Sequence, residues 1–256
     1  MSLQTSATGP ADLKAFVGDY FADRSLPSDG LIVQSWYRSV VEHGLKPAGR
    51  ANKVILSAAE IHRHQEFHHD YMTIAGQGVS GLAKRVGQAG FAVLLSDEHG
   101  IALDSRVPTT GSAYADSGLI VGSRWDESLV GTNGIGTCIA EGRRVIIHRN
   151  EHFHARNTGM SCMDAPIFGP DGAIVGALDV SSARADQTEG FNRLIAATVA
   201  QTARAIEADF FRASFPEARI VVGDGDEQPC LGEERQAVAL RPHAVEMGAL
   251  VALPSL

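Results

Sequence analysis

Cysteine is scarce in this sequence. Cys138, Cys162 and Cys230 are the only three in 256 residues, an odd number without CxxC spacing. Disulfide scaffolding is therefore not expected, and a reducing cytoplasm suits the chain. Long apolar runs are missing too: no window approaches 18 uninterrupted apolar residues, so no membrane-spanning helix is expected. The opening "MSLQTSATGPADLK" lacks a basic stretch followed by an apolar one, which argues against a secretory signal. Positive charge is in deficit. Lysine and arginine total 22 against 30 acidic residues, a net charge of −8, which argues against direct binding to nucleic acid or anionic membranes. The nearest approach to a basic cluster, Arg143, Arg144 and Arg149, is too sparse to reverse this. No G-x-S-x-G elbow is present, so a serine triad cannot be argued.

What remains is an ordinary globular composition, with 44% hydrophobic and 20% charged residues and neither repeats nor low-complexity tracts. Apolar residues recur at helical spacing over 31–45, with Ser28 placed to cap the start and Gly44 and Pro47 marking the end. A second helical stretch is expected over 59–86, weakened by Gly76, Gly78 and Gly81. From Gly90 the period changes. "FAVLLSDEHGIALDS" reads as strand, turn and return strand, and 104–130 as an irregular crossover with a short helix near 117–121. "GIGTCIAEG", "RRVIIHR" and the hairpin 165–168/173–180 supply four further strands. A long amphipathic helix with Asp186 at its cap closes the domain. This order predicts an α+β fold: an antiparallel sheet of about six strands flanked by helices, with the first and last helices packed together. Residues 1–28 are expected to be flexible, 29–212 to form the domain, and 213–256 to be a weakly patterned tail with one strand at 219–222.

Four features invite chemistry. "GTNGIGT" (131–137) has the glycine density of a phosphate cradle, but it lacks the P-loop lysine and the βαβ setting of a dinucleotide fingerprint. A bend leading into a strand is the preferred reading, with Asn133 tolerating left-handed backbone. His62, His64, His68 and His69 crowd one helix, and the i,i+4 pair His64/His68 could share a metal. No third ligand is evident beside them, so exposed histidines are preferred and no metal or cofactor is expected. In "VIIHRNEHFHARN", polar residues could line a pocket or satisfy loop backbone. Cys138 and Cys162 sit in apolar surroundings and read as structural thiols.

Taken together, "SWYRSVVEHGLKP", W-x-E-x-x-x-G-T-N-x-I-G-T, V-x-x-H-x-x-E-H-F and C-x-x-A-P-I resemble one family over about residues 31–212. It is the N-terminal sensory region of acetoin-catabolism-regulator-type sigma-54-dependent transcriptional activators, a GAF domain. The sequence has no Walker A motif, no "GAFTGA"-like loop and no basic C-terminal helix pair, so the ATPase and DNA-binding activities of that family are not carried over.

The resemblance implies a non-enzymatic, small-molecule-sensing protein in bacterial transcription control. Its pocket walls would come from 104–133 and 148–162. The site residues it implies are Trp125, Glu127, Asn133, His148, Glu151, His152 and Cys162, which could equally brace the crossover. The implied partners are a small-molecule effector, a second copy through the flanking helices 31–45 and 187–215, and a separate regulator or ATPase. The patternless tail after Asp224 also fits a truncated regulator. A weaker resemblance, to GAF-type free-methionine-(R)-sulfoxide reductases, would make Cys162 the nucleophile and Cys138 the resolving thiol. A cyclic-nucleotide or tetrapyrrole GAF ranks lower, since no cysteine sits in a bilin-attachment-like context and no arginine except Arg124 is poised in the crossover to meet a cyclic phosphate.

Overall fold

The structure is a computed structural model, which describes residues 30–47, 54–108, 114 and 117–222, together with strands at 239–240 and 250–254. The expected cap Ser28 and the expected flexible segment 1–28 lie outside the described residues. Five strands form one antiparallel sheet: β1 (Ala92–Ser96), β2 (Ala102–Arg106), β3 (Val145–His148), β4 (Ser161–Phe168) and β5 (Ile174–Ser182). Their order is β2-β1-β5-β4-β3, which puts β5 and β4 towards the middle and β3 at an edge.

The helices are α1 (Gly30–Tyr37), prolonged by a π-turn at Arg38–Glu42, then α2 (Ala58–Phe67), α3 (His69–Gly87), α4 (Glu127–Val130), α5 (Gly134–Glu141) and α6 (Glu189–Ser214). Gly44, at φ +65, ends the first helical segment as expected. Among the described residues no helix is long and apolar enough to cross a membrane.

The expected strand "GIGTCIAEG" is instead the helix α5. Caps decide this over the β-leaning isoleucine and threonine content. Asn133 has extended backbone and its side chain accepts from the Gly136 N–H, while Gly142 closes the helix in the left-handed region at φ 62. The crossover helix also moves: residues 117–118 form a turn, and helix appears at Glu127–Val130.

The long second helix breaks at His68, not at its glycines. Gly78 lies inside α3 where α6 passes close by: a Cβ there would come within 2.9 Å of Ile206. At the start of α6, Thr188 provides the cap by accepting from the Phe191 N–H, whereas Asp186 pairs with Arg184.

Strand alternation divides the core in two. Val93, Leu95, Met163, Ala165, Leu178 and Val180 face α3 and α6, meeting Tyr71, Val79, Leu82, Ile195, Val199 and Ile206. Leu94, Cys162 and Ala177 face the other way, onto α1, α5 and the crossover, where Trp36, Trp125, Ile135 and Phe153 are buried. The partner packed along α6 is thus α3. The first helix, α1, covers the opposite face and approaches α6 only around the β3 edge, across a groove. Beyond α6, β6 (Ala218–Val222), β7 (Ala239–Leu240) and β8 (Leu250–Pro254) pair antiparallel in the order β6-β8-β7.

Candidate functional site

The glycine-rich segment marks where the crossover, α5 and the sheet close on one another. Gly131 has φ +65, and a Cβ there would lie 2.5 Å from the Phe153 ring. A Cβ on Gly134 would meet Asp164 Oδ2 at 2.2 Å and Cys162 Cβ at 2.7 Å. A Cβ on Gly136 would meet the Trp125 carbonyl oxygen at 2.3 Å. Asn133 ties the segment together: its amide donates to the carbonyls of Trp125 and Gly131, both at 2.8 Å, while its oxygen accepts from Gly136 N at 3.0 Å. Every polar atom of the side chain is thereby committed to the turn. The first turn of α5 faces a carboxyl, which removes any phosphate role for this helix N-terminus.

Beneath α5, the register of β4 and β5 gathers four polar side chains on one face. Asp164 pairs with Asp179 and Cys162 with Ser181. All four are at most 6% exposed. Burial, reinforced by the neighbouring Asp179 charge, pushes the Asp164 carboxyl well above the usual range, and burial raises Asp179 to about 7. Neither oxygen of Asp164 has a protein hydrogen-bond donor, so it bonds to Asp179 only when one of the two holds a proton. Ser181 Oγ lies 2.9 Å from both Asp179 oxygens and 3.1 Å from Cys162 Sγ. Its single proton serves the carboxylate.

His152 completes the cluster. Its Nδ1 lies 3.0 Å from the Arg149 carbonyl, which can only accept, so Nδ1 carries the hydrogen. Nε2, 3.3 Å from Cys162 Sγ, is then an acceptor for the thiol. Burial lowers His152 to about 4, so the ring is neutral at physiological pH. The Cys162 and Cys138 thiols are pushed well up by burial and by the nearby Asp164 and Asp179 charges.

A cavity of about 10 Å³ opens against this cluster, bounded by Leu119, Trp125, Asn133, Ile135, His152, Asn157, Met160, Cys162, Asp179 and Ser181. That is room for about one water molecule. Trp125, Asn133, His152 and Cys162 of the sequence-derived set therefore meet around one space. Glu127, His148 and Glu151 lie away from it. Glu127 is buried where it accepts from Ser35 Oγ at 2.6 Å and from Arg38 at 3.0 Å. Glu151 accepts from the His148 N–H at 2.7 Å, and its carbonyl accepts from Trp36 Nε1 at 2.7 Å. His148 Nδ1 is 2.6 Å from Ser161 Oγ and 3.1 Å from Asn192 Nδ2, directed at the sheet edge and α6. Sequence reasoning missed Asp164, Asp179 and Ser181. Their signal was an acidic residue in the middle of each of two apolar strands, "MDAPI" and "ALDVSS".

"SWYRS" and the glycine segment prove to be two sides of one joint. Ser35 Oγ lies within 2.7 Å of Thr132 Oγ1 and 3.1 Å of Thr137 Oγ1 besides bonding Glu127, and Arg38 also reaches Glu141 at 2.6 Å. Trp36 is fully buried, its ring 4.8 Å from that of Phe153. A second, wider groove of about 370 Å³ runs between α1, β3 and α6, lined by Leu31, Ile32, Val145 and Ala196 with Arg144 and Arg193 at its rim. It has the volume of a metabolite site. The inner cavity, however, is the one lined by buried Asp179, Ser181, His152 and Cys162.

A five-stranded antiparallel sheet with helices on both faces and a cavity beneath an irregular crossover defines a GAF-like domain. The chain belongs to the GAF domain family, which it matches over residues 73–208. It is 34% identical over 194 residues to the acetoin catabolism regulatory protein of Cupriavidus necator, covering 75% of this chain and 29% of that protein. It is 28% identical over 152 residues to AcoR, the acetoin dehydrogenase operon transcriptional activator of Bacillus subtilis, covering 59% of this chain and 25% of that one. The chain thus spans less than a third of the length of these two curated relatives. A chain of the Escherichia coli DhaR(N)–DhaL complex superposes with a TM-score of 0.63 at 12% identity, covering 89% of this chain and all of that one, which shows the shared fold.

Proposed function

We propose that the protein is the sensing part of a transcriptional regulator of the sigma-54-activator type, and that it binds a small, donor-rich, uncharged metabolite in the inner cavity. The carrying observation is the buried polar lining of that cavity, where Asp179, Ser181, His152 and Cys162 meet one space. A ligand hydroxyl or carbonyl that pairs with these buried groups recovers the hydrogen bonds it gives up to water. Among the described residues, the cavity lining holds no lysine or arginine to neutralise an anion, so diols and hydroxyketones fit better than carboxylic acids. Acetoin, a hydroxyketone that appears in the names of both relatives, belongs to the favoured class.

Because the closed cavity holds about one water, the ligand enters only as the walls formed by Leu119, Trp125, Asn157 and Met160 separate. The Trp125 wall continues through Glu127 to Ser35 and Arg38, so its displacement loads α1. Output would then pass through a dimer formed by the flanking helices, or through a separate regulator or ATPase. The reductase alternative needs an activated thiolate, and burial beside two carboxyl groups drives Cys162 and Cys138 the opposite way. Arg124, the one crossover candidate for a cyclic phosphate, is paired with Asp126 at 3.0 Å.

The test is a thermal-shift series with small diols, acetoin and matched carboxylic acids. The expected result is a concentration-dependent rise in Tm with the neutral compounds, lost in Asp179→Asn. Stabilisation by the acids alone, or by no compound, overturns the ligand assignment. Thiol-coupled reduction of methionine sulfoxide that is abolished by Cys162→Ser would overturn the non-enzymatic reading.

A further inference from the structure

The histidine pair on the second helical stretch acquires, through folding, the third ligand that the sequence did not show. Asp97, the residue after β1, is fully buried. Its Oδ1 accepts from the N–H groups of Ile101 at 2.8 Å and His99 at 3.0 Å, fixing the β1–β2 turn. Its Oδ2 has no hydrogen-bond donor and points at α2. There it lies 3.3 Å from His64 Nδ1 and 3.7 Å from His68 Nε2, and one ligand atom from each of the three residues falls within 4.8 Å of the others.

These separations exceed the roughly 2.7–2.9 Å of a charge-assisted hydrogen bond. They lie close to the edge of about 3.3 Å that separates neighbouring ligands in a tetrahedron with zinc bonds of about 2.0–2.1 Å. Three atoms from two elements thus surround a common point.

We infer that His64 Nδ1, His68 Nε2 and Asp97 Oδ2 form a binding site for one divalent transition-metal ion of the zinc class. The supporting shell is in place. Oδ1 of Asp97 is anchored by two backbone donors, His68 is flanked edge-on by Phe67 and Tyr71, and Gln65 donates to the Leu103 carbonyl at 3.0 Å, tying α2 to β2. Glu98 Oε2, 3.8 Å from His68 Nε2, is placed to be a fourth ligand or to orient a bound water. His64, with a third of its side chain exposed, is the path for entry. An ion here would pin the break between α2 and α3 to the β1–β2 turn. The site shares no residue with the inner cavity, so it stands or falls independently of the sensing proposal.

The test uses the full chain, stripped with chelator and titrated with Co²⁺ and with Zn²⁺ alone. The expected result is one equivalent of Co²⁺ giving the intense ligand-field absorption of a four-coordinate site, displaced by Zn²⁺, with Tm raised by Zn²⁺. His64→Gln and His68→Gln, with His64 partly exposed, should each weaken binding at least tenfold. His62→Gln, three-quarters exposed and outside the cluster, should leave it unchanged. Asp97→Asn keeps an acceptor for the turn and should also weaken binding; if it fails to fold, the histidine variants decide. Binding that survives both histidine substitutions, that falls equally in His62→Gln, or that never reaches one equivalent overturns the assignment.

Discussion

Asp164 and Asp179 stand directly opposite one another in the β4–β5 ladder, each only 1% exposed. The pair bears on stability in a defined pH window. Asp179, raised to about 7 in the folded state against 3.8, contributes stability that is complete below about pH 4 and is lost as pH rises through 7. His152, lowered from 6.5 to about 4, acts in the opposite sense: its contribution is complete above about 6.5 and is lost as pH falls through 4. Asp164, also raised, acts in the same sense as Asp179, and both oppose the His152 trend between these limits. Relative to the wild type, Asp179→Asn should therefore shift the slope of stability against pH upward, and His152→Gln should shift it downward. Urea unfolding at half-unit steps from pH 4.5 to 6.5 checks this, and curves parallel to the wild type for both variants would refute it.

Gly134 permits that carboxyl pair to sit under α5. In Gly134→Ala the new methyl lies 2.2 Å from Asp164 Oδ2 and 2.7 Å from Cys162 Cβ, so strand and helix must part. The expected cost is about 1–3 kcal/mol. Gly159→Ala is the control: nothing lies within 4 Å of its Cβ position, and its effect should stay within about 0.5 kcal/mol. Equal effects in chemical denaturation would show that the close approach is not what demands glycine at 134.

The glycine segment also shows what could be read from sequence and what could not. The β1–β2 and β4–β5 hairpins were legible because alternation and turn residues are local signals, and Asp97 and Pro170-Asp171-Gly172 sit at the turns. The helix α5 was not. Isoleucine, threonine and cysteine favour strand, and the deciding cap at Asn133 depends on carbonyls that Trp125 and Gly131 present only after the crossover has folded. The signature residues were found, but their separation into cavity wall and brace rests on long-range pairs such as Ser35 with Glu127, 92 positions apart. Asp164 and Asp179 were passed over because an acid inside an apolar strand becomes conspicuous only once the register sets it opposite another.

The joint between α1 and the glycine segment should behave as one energetic unit. Ser35 Oγ bonds Glu127 at 2.6 Å in buried surroundings, and Arg38 holds the other carboxylate oxygen. Ser35→Ala removes one donor from a buried carboxylate, costing about 1–3 kcal/mol. Glu127→Gln breaks the charge pairing with Arg38 and disturbs the same contact. In a double-mutant cycle the two should be non-additive by at least about 0.5 kcal/mol. Strict additivity in urea unfolding would show that α1 is held by its apolar side chains, Trp36 above all, and not by this polar joint.

Asn133 offers a sharper comparison, because its two ends do different work. Asn133→Asp keeps the oxygen that caps Gly136, so the α5 N-terminus remains satisfied. It replaces the amide that donates to the Trp125 and Gly131 carbonyls with a second oxygen, setting a charge against two acceptors in a buried site. If Asn133 were only a helix cap, aspartate would serve as well as asparagine and alanine would cost about 1 kcal/mol. The double tether predicts instead that aspartate is at least as damaging as alanine, each lowering stability by about 2 kcal/mol or more. Thermal and urea unfolding of the two variants at pH 7 decides between these outcomes. An Asn133→Asp protein with wild-type stability would reduce this residue to a cap and leave the crossover held by Gly131 and Phe153.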